Sequence, residues 1–399
     1  MSKTQKKEEP VITTDTGYLE NGIAVQRLTR DVASAAKTMT SDEARFLVDY
    51  YYICQDDRIR FHGQIRSMSE SQEPNMVLKW LADQSEVLES QIKRALDKYT
   101  DSHPVGAWLK SLHGIGPVLA AGLVAHIDIT QAPTAGHIWS YAGLVADKEW
   151  ISRDNAAAWV KENGLDVEKA ARDFNRNVIR LRAQASQDAD GQPIEMTAKS
   201  LAAAISRRPW NAELKKLCWK IGECFVKFSR DEKCYYGMLF RQRKFMVEWV
   251  RNLQGLNAQQ ALYDKDLYGK TTDAWPWVNG CYKAEDIRKF VEAEVSMSPD
   301  DLKKLRGEPG SGQYMLPPAQ IHARARRYAV KLLLSHLHEF WYETHYKRRV
   351  PKPFVIEHLG HVHRIAVPGY DSPYAVNEPP SMRFEIDPEA GNFKGRRQA

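Results

Sequence analysis

The sequence predicts a mainly α-helical protein with a small β-hairpin near its C-terminus. Three observations predict it. Apolar residues recur at three- and four-residue spacing through long stretches around residues 42–66, 76–99, 211–228 and 319–346. The turn Gly114-Ile115-Gly116-Pro117 joins two further helical stretches, the second built from small and aliphatic residues. Alternation with period two occurs in the stretch 353–368, around Leu359-Gly360, and reads as the hairpin.

In chain order, residues 1–40 are polar and expected to be loose. Ser41 can cap a helix starting at Asp42, in which Phe46, Leu47, Tyr50, Ile53 and Cys54 form the apolar stripe. After Pro74 a second helix runs from about Met76 to Tyr99, with Val77, Leu81, Leu88, Ile92 and Leu96 on one face. Spacings that mix fours and sevens predict that these two helices, 41–100, pair as an antiparallel, coiled-coil-like hairpin with a structural or dimerising role. A helical domain spanning 105–346 follows, with insertions near 147–204 and 254–316. Within it Thr134 or Ala135 opens a short helix ending in Tyr141-Ala142-Gly143-Leu144, and Val167, Ala171, Phe174, Val178 and Leu181 share one helical face. A helix from Asn211 turns Leu214, Leu217, Cys218, Ile221, Cys224, Phe225 and Phe228 inward. After Pro317-Pro318 a long helix carries Arg324, Arg327 and Lys331 at i, i+3 and i+7, with Ala329, Leu332, Leu333 and Phe340 as its buried side. Residues 347–399 form the β-hairpin and tail.

Composition excludes several classes. A hydrophobic fraction of 43% and an aromatic fraction of 10% in 399 residues fit a globular protein of two or three domains. The net charge of +6 is mildly basic and suits a polyanionic partner. Five scattered cysteines with no CxxC pair support neither a disulfide framework nor structural zinc. The polar start MSKTQKKEEP lacks an apolar signal region, and no segment is apolar enough to span a bilayer, so a reducing, cytoplasmic setting without membrane contact is expected.

The functional signals lie in the middle of the chain. A Gly-x-Gly-Pro turn between two helices is the pattern of a helix-hairpin-helix. Its glycines allow a tight bend, and backbone N–H groups at the second helix start can hold a phosphate oxygen without reading bases. His113, Gly114, Ile115 and Gly116 are the candidate contacts. A tight hairpin serving only the core is the competing reading. The stretch 205–244 interleaves cations with aromatics: Arg207, Arg208, Lys215, Lys216, Lys220 and Lys227, then Tyr235, Tyr236, Arg241, Arg243 and Lys244. It reads either as a solvated basic face or as a phosphate-contacting surface. His358, His361 and His363 cluster on the predicted β-hairpin, but without cysteines or a carboxylate pattern they do not amount to a metal site.

Three blocks in this order resemble a known family: LHGIGPVLAAGLVAHI with WSYAGL, then ISRRPWNAELKKLCWKIGECFV, then AQIHARARRYAVKLLLSHLHEFWY. They are similar to the C-terminal domain of insertion-sequence transposases that pair a RuvC-like DEDD domain with a serine-bearing domain, the bridge-RNA-guided recombinases. The resemblance covers about Leu109 to Tyr346. It implies a transposase-like domain, double-stranded DNA as partner and structured RNA as an alternative ligand; a homo-oligomer is also expected, with the 41–100 hairpin as the dimerising element. On the DNA-binding reading, the basic faces carrying Arg207, Arg208, Lys215, Lys216, Arg324, Arg327 and Lys331 extend the phosphate contact. The family's metal-binding carboxylates have no counterpart in the helical first hundred residues, so no cofactor is expected, and Mg2+ matters only if a partner chain supplies that domain. The family's nucleophilic serine falls nearest to Ser152, here without the usual glycine and without an activating base in sequence. Ser206, in the second block, is expected to start a helix. Three functions remain open: a DNA-binding protein of mobile-element biology, a transposase completed by a partner domain, and a helical interaction protein.

Overall fold

The computed structural model describes residues 28–69, 76–145, 150–174, 196–282, 285–287, 314–351 and 365–375, and these are mainly helical. The predicted β-hairpin and its three histidines lie almost wholly outside the described residues. The chain divides into two compact units. One comprises the described residues up to Ser111 together with Ile115–Ile127; the other comprises Leu112–Gly114 and the described residues from Asp128 onward.

The first unit contains α1 (Arg30–Ala35), α2 (Ser41–Ser69), α3 (Met76–Ser102), α4 (Gly106–Ser111) and α5 (Pro117–His126). The stretch expected to be loose thus includes a short helix, α1, whose N-terminus is capped by the Thr29 side chain. Thr40, not Ser41, caps α2: its hydroxyl accepts from the Glu43 N–H, while the Glu43 carboxylate accepts from the Thr40 N–H. Helices α2 and α3 run antiparallel. The Arg58 guanidinium meets Glu89 at 2.6 Å, and His62, one turn further on, faces Glu86, one turn back, at 4.0 Å.

The predicted stripe of α2 is corrected by the structure. Phe46 and Ile53 are 69% and 54% exposed, and Val77 of α3 is exposed too; the buried side of α2 is Ala44, Val48, Tyr51 and Cys54. Small residues win that face because α5 packs against both α2 and α3. Val118 to His126 of α5 are all buried, so the helix is apolar around its whole circumference and needs close neighbours on every side. Leu96, Leu109 and Leu123 complete this core at 0% exposure, each worth about 1.5–3 kcal/mol of burial.

The second unit is organised around one helix, Pro318–Tyr346, here α15. Packed on it are α6 (Ala135–Tyr141), α10 (Ala212–Lys227), α11 (Tyr235–Gln242) and a π-helical segment, Arg243–Trp249. Pro318 at its first turn and the extended Pro317 before it set where α15 begins. Its buried side is Ile321, Ala325, Ala329, Val330, Leu333, Leu334 and Leu337; Leu332 and Phe340, expected inside, are only half-buried. Two buried histidines anchor its C-terminal half. His336 shares a 2.8 Å hydrogen bond with the Tyr236 hydroxyl and lies 3.2 Å from the Ile365 carbonyl, while His338 donates to the Ala132 carbonyl at 2.8 Å. Glu343, fully buried, gathers Arg349 (2.6 Å), Ser372 (2.5 Å) and Tyr370 (2.8 Å), which fixes the last described segment on α15.

Beyond this layer, α12 (Val250–Leu253), α13 (Ala258–Asp264) and α14 (Trp275–Val278) surround a cluster of Phe245, Trp249, Trp277 and Tyr282. Asn252 holds Leu316 by exchanging hydrogen bonds with its N–H and carbonyl, at 2.9 and 3.0 Å. Between α6 and α10 the chain makes an excursion through α7 (Arg153–Asn163), α8 (Val167–Asp173) and α9 (Ala198–Ile205), with an apolar cluster of Ala156, Val160, Ala170, Leu201, Ala202 and Ile205. The Trp150 indole N–H donates to the Ser206 carbonyl at 2.8 Å and closes the base of this excursion. Ser206 ends α9; α10 starts later, at Asn211, whose side chain accepts from the Leu214 N–H. Pro209 intervenes, and the residue before a proline is driven out of helical geometry, so the serine three positions earlier cannot open α10 directly. No helix among the described residues is long and apolar enough to cross a membrane.

Candidate nucleic-acid interface

The turn between α4 and α5 uses its two glycines differently. Gly114 adopts φ +95°, a conformation that other residues enter with strain. A side chain there would also come within ordinary contact, 3.6–3.8 Å, of Cys234, Phe228 and Phe225. Around it the Cys234 thiol donates to the His113 carbonyl (3.3 Å), the His113 ring meets Phe228 edge-on (4.9 Å), and His113 lies 3.1 Å from Asp231. Gly114 and His113 are therefore packed and partnered. Ile115 is 3% exposed and belongs to the core.

Gly116 is the open end. It is exposed, and a Cβ added to it meets nothing within 4 Å. Its φ of −84° and ψ of 173° are extended, as for an ordinary N-cap, yet no side chain caps α5 and no acidic residue sits in the first turn. Pro117 has no N–H, and the first helical bond runs from Ala120 to the Gly116 carbonyl. The start of α5 thus has no side-chain cap, and its positive dipole end lies beside an exposed glycine, with the Val118 and Leu119 that follow Pro117 buried.

A second feature lies wholly within the second unit. A cavity of about 310 Å3 opens between Gly143-Leu144-Val145, the start of α10 and the N-terminal half of α15. The sequence blocks YAGL and RRPWN meet at it. The Asn211 N–H donates to the Tyr141 carbonyl, and its side-chain amide to the Tyr141 hydroxyl, both at 2.8 Å. Gly143, with φ +65°, lies flat against the Trp210 indole; a Cβ there would come 2.7 Å from Cγ of the ring. Lys215 extends over Trp210, its Nζ 4.0 Å from the ring centre. Arg326 and Arg327 enter from α15, and Trp219, 53% exposed, forms the outer wall.

The charges around this cavity are uneven. Arg326 pairs with Glu223 and lies over Trp219 at 5.5 Å. Among the described residues Lys215 and Arg327 have no carboxylate partner and no acidic residue lines the cavity. Burial, then the neighbouring Arg327 and Arg208, push the Lys215 ammonium below its ordinary pKa. For Arg327, burial and then Arg324 and Arg326 act in the same direction.

The other predicted cations are dispersed. Arg324 hydrogen-bonds Asn257 (3.2 Å) and reaches the buried Glu248 (3.7 Å), which also holds Arg243. Lys331 sits 4.2 Å from the Trp139 ring centre, Lys216 pairs with Glu213 at 3.7 Å, and Arg208 covers Trp150 at 5.4 Å. Arg207 is exposed beside it. The Ser152 hydroxyl caps α7 by accepting from the Asn155 N–H, and no base contacts it among the described residues. Among the described residues no three His, Cys, Asp or Glu side chains group as metal ligands. Sequence reasoning passed over Trp210, Trp219 and Arg326. The available signal was an aromatic flanking each end of the lysine pair Lys215-Lys216.

Residues 106–150, which include the turn and the YAGL block, match the model of the Transposase IS116/IS110/IS902 family. No curated protein and no solved structure matches the chain.

Proposed function

We propose that this chain is a DNA-binding protein of mobile-element transposition or recombination that grips duplex DNA by its phosphate backbone. The α4–α5 pair acts as a helix-hairpin-helix, with a phosphate oxygen at the Gly116 end of α5. The observation that carries this reading is the uncapped start of α5 beside an exposed glycine with open space around it. The transposase-family match over this segment supports it. Lys215 and Arg327, without acidic partners among the described residues, add salt-sensitive contacts, and the exposed Arg207, Arg208 and Lys216 extend them. Arg324 and Lys331 contribute through the field they create around α15, and His113 by steadying the turn. The wider resemblance to bridge-RNA-guided recombinases makes structured RNA the second ligand to assay. We assign no chemistry to Ser152, since its hydroxyl is engaged as a helix cap. The apolar stripe Phe46, Tyr50 and Ile53, exposed on α2, supports self-association through the first unit.

The test pairs a salt titration with one substitution. Duplex affinity of the full chain should fall steeply with salt, and equally for unrelated sequences. Gly116→Asp should leave folding intact or improve it by a few tenths of a kcal/mol, because Asp is a slightly better N-cap than Gly, while setting a carboxylate where the phosphate docks. Affinity should then drop at least about 10-fold, the scale of losing one charge-assisted contact. Salt-independent binding, or full affinity in Gly116→Asp, refutes the proposal.

A further inference from the structure

The cavity in the second unit combines features that a duplex backbone does not need. A phosphate on the outside of a duplex requires cations at a surface. Here the cations border a concave site that the Trp210 and Trp219 indoles also line, together with the aliphatic Leu144, Val145, Ala323 and Val330. Its volume, about 310 Å3, reaches the lower end of small-ligand sites, roughly 300–1,000 Å3. Trp219 is 53% exposed despite its size, so an aromatic surface faces solvent beside two cations that have no counter-charge among the described residues.

We infer that the cleft between Trp210 and Trp219 seats one unpaired nucleotide of a nucleic-acid strand, its phosphate between Lys215 and Arg327 and its base against the Trp219 indole. This rests on the reading of the chain as a nucleic-acid-binding protein. A paired base is stacked inside the duplex and cannot enter a concave site, whereas an unpaired one offers a π-face and an adjoining phosphate together. Trp210 plays a different part. Gly143 packs on its ring and Lys215 extends over it, so it fixes the direction of the ammonium and leaves stacking to Trp219. Arg326, held by Glu223, covers part of Trp219 and orients that wall. The Arg327 charge disfavours the Lys215 ammonium and no carboxylate among the described residues offsets it, a condition that a bound phosphate relieves.

The test uses the full chain and a fluorescein-labelled, 5′-phosphorylated oligothymidylate followed by anisotropy, beside an oligouridylate and a duplex of equal length. Trp219→Ala and Arg327→Met should each weaken single-strand binding about 10-fold, and Trp219→Phe should restore most of it, in keeping with aromatic stacking. Trp219→Ala should change duplex affinity less than about threefold, since stacking on unpaired bases is what it removes. Equal effects on oligothymidylate and oligouridylate assign the site to either strand chemistry; a difference assigns it to the better one. The inference is overturned if Trp219→Ala leaves single-strand affinity intact, or if inorganic phosphate or polyglutamate displaces the oligonucleotide as well as unlabelled oligothymidylate does. Duplex binding combined with that result sinks this inference alone. Single-strand binding as described without duplex binding sinks only the hairpin reading, and binding of neither sinks both.

Discussion

Replacing Gly143 by alanine probes the joint between the YAGL and RRPWN blocks. Two costs arise there. Alanine at φ +65° costs about 1–2 kcal/mol in left-handed geometry. Its Cβ would also come 2.7–3.0 Å from Cγ, Cδ1 and Cδ2 of Trp210, so the indole must move, and overpacking of that kind costs typically 1–3 kcal/mol. The expected loss is thus about 2–5 kcal/mol. Gly369 is the control: its φ is +69°, in a turn closed by the Tyr370 N–H on the Val367 carbonyl, and a Cβ there meets nothing within 4 Å, so alanine carries only the dihedral cost. Urea unfolding of the full chain, followed by circular dichroism, gives both midpoints. Gly143→Ala should be the worse of the two, and its near-ultraviolet spectrum should change as Trp210 is displaced. If the two variants are equally destabilised with unchanged tryptophan signals, the Gly143–Trp210 contact does not hold the blocks together.

Further outcomes follow from other sites. Ser152→Ala should cost about 1 kcal/mol through the lost α7 cap and leave duplex affinity as in the parent chain; abolished strand-transfer or binding would give the serine a role beyond capping. Burial raises the Glu343 pKa, but hydrogen bonds from Ser372, Arg349, Tyr370 and the Val350 N–H outweigh it and hold the group below its ordinary 4.5. A depressed folded value means the stabilisation is complete above 4.5 and lost as pH falls through the folded pKa. Glu343→Gln should therefore flatten the acid limb of a stability–pH profile, and an unaltered limb would contradict this. Cys218 is buried, with its thiol pushed up to about 12, whereas Cys281 is exposed. A thiol reagent should therefore label Cys281 first and reach Cys218 only on unfolding, and early modification of Cys218 would show that α10 opens.

Much of the second unit was legible in the sequence because its signals are local. Asn211 announces α10 with a side-chain cap, Pro317-Pro318 announces α15, and Thr134 precedes α6. The face of α2 was not legible. Phe46, Tyr50 and Ile53 form a proper helical stripe, yet the burying partners are α3 and the closely packed α5, which favour Ala44 and Val48. Periodicity reports that a face exists; which face is covered depends on helices distant in sequence. The cavity was hidden for a similar reason. Lys215 and Arg327 were each visible as cations among many, but their shared lack of acidic partners among the described residues is a property of packing. Trp210 gains meaning only once Gly143 is seen against its ring. The opposite holds for Gly114 and Gly116, alike in sequence and separated only by what surrounds them.

The excursion between α6 and α10 leaves and returns at nearly one point, stitched by Trp150 and Ser206 above the Tyr141–Asn211 pairing. Its own small core means that the material looped out there has little say in how the blocks beneath it dock. Such an arrangement behaves as a socket. Appendages of different length or origin can be exchanged at positions 150 and 206 in hybrid proteins, so long as the glycine and indole below travel together.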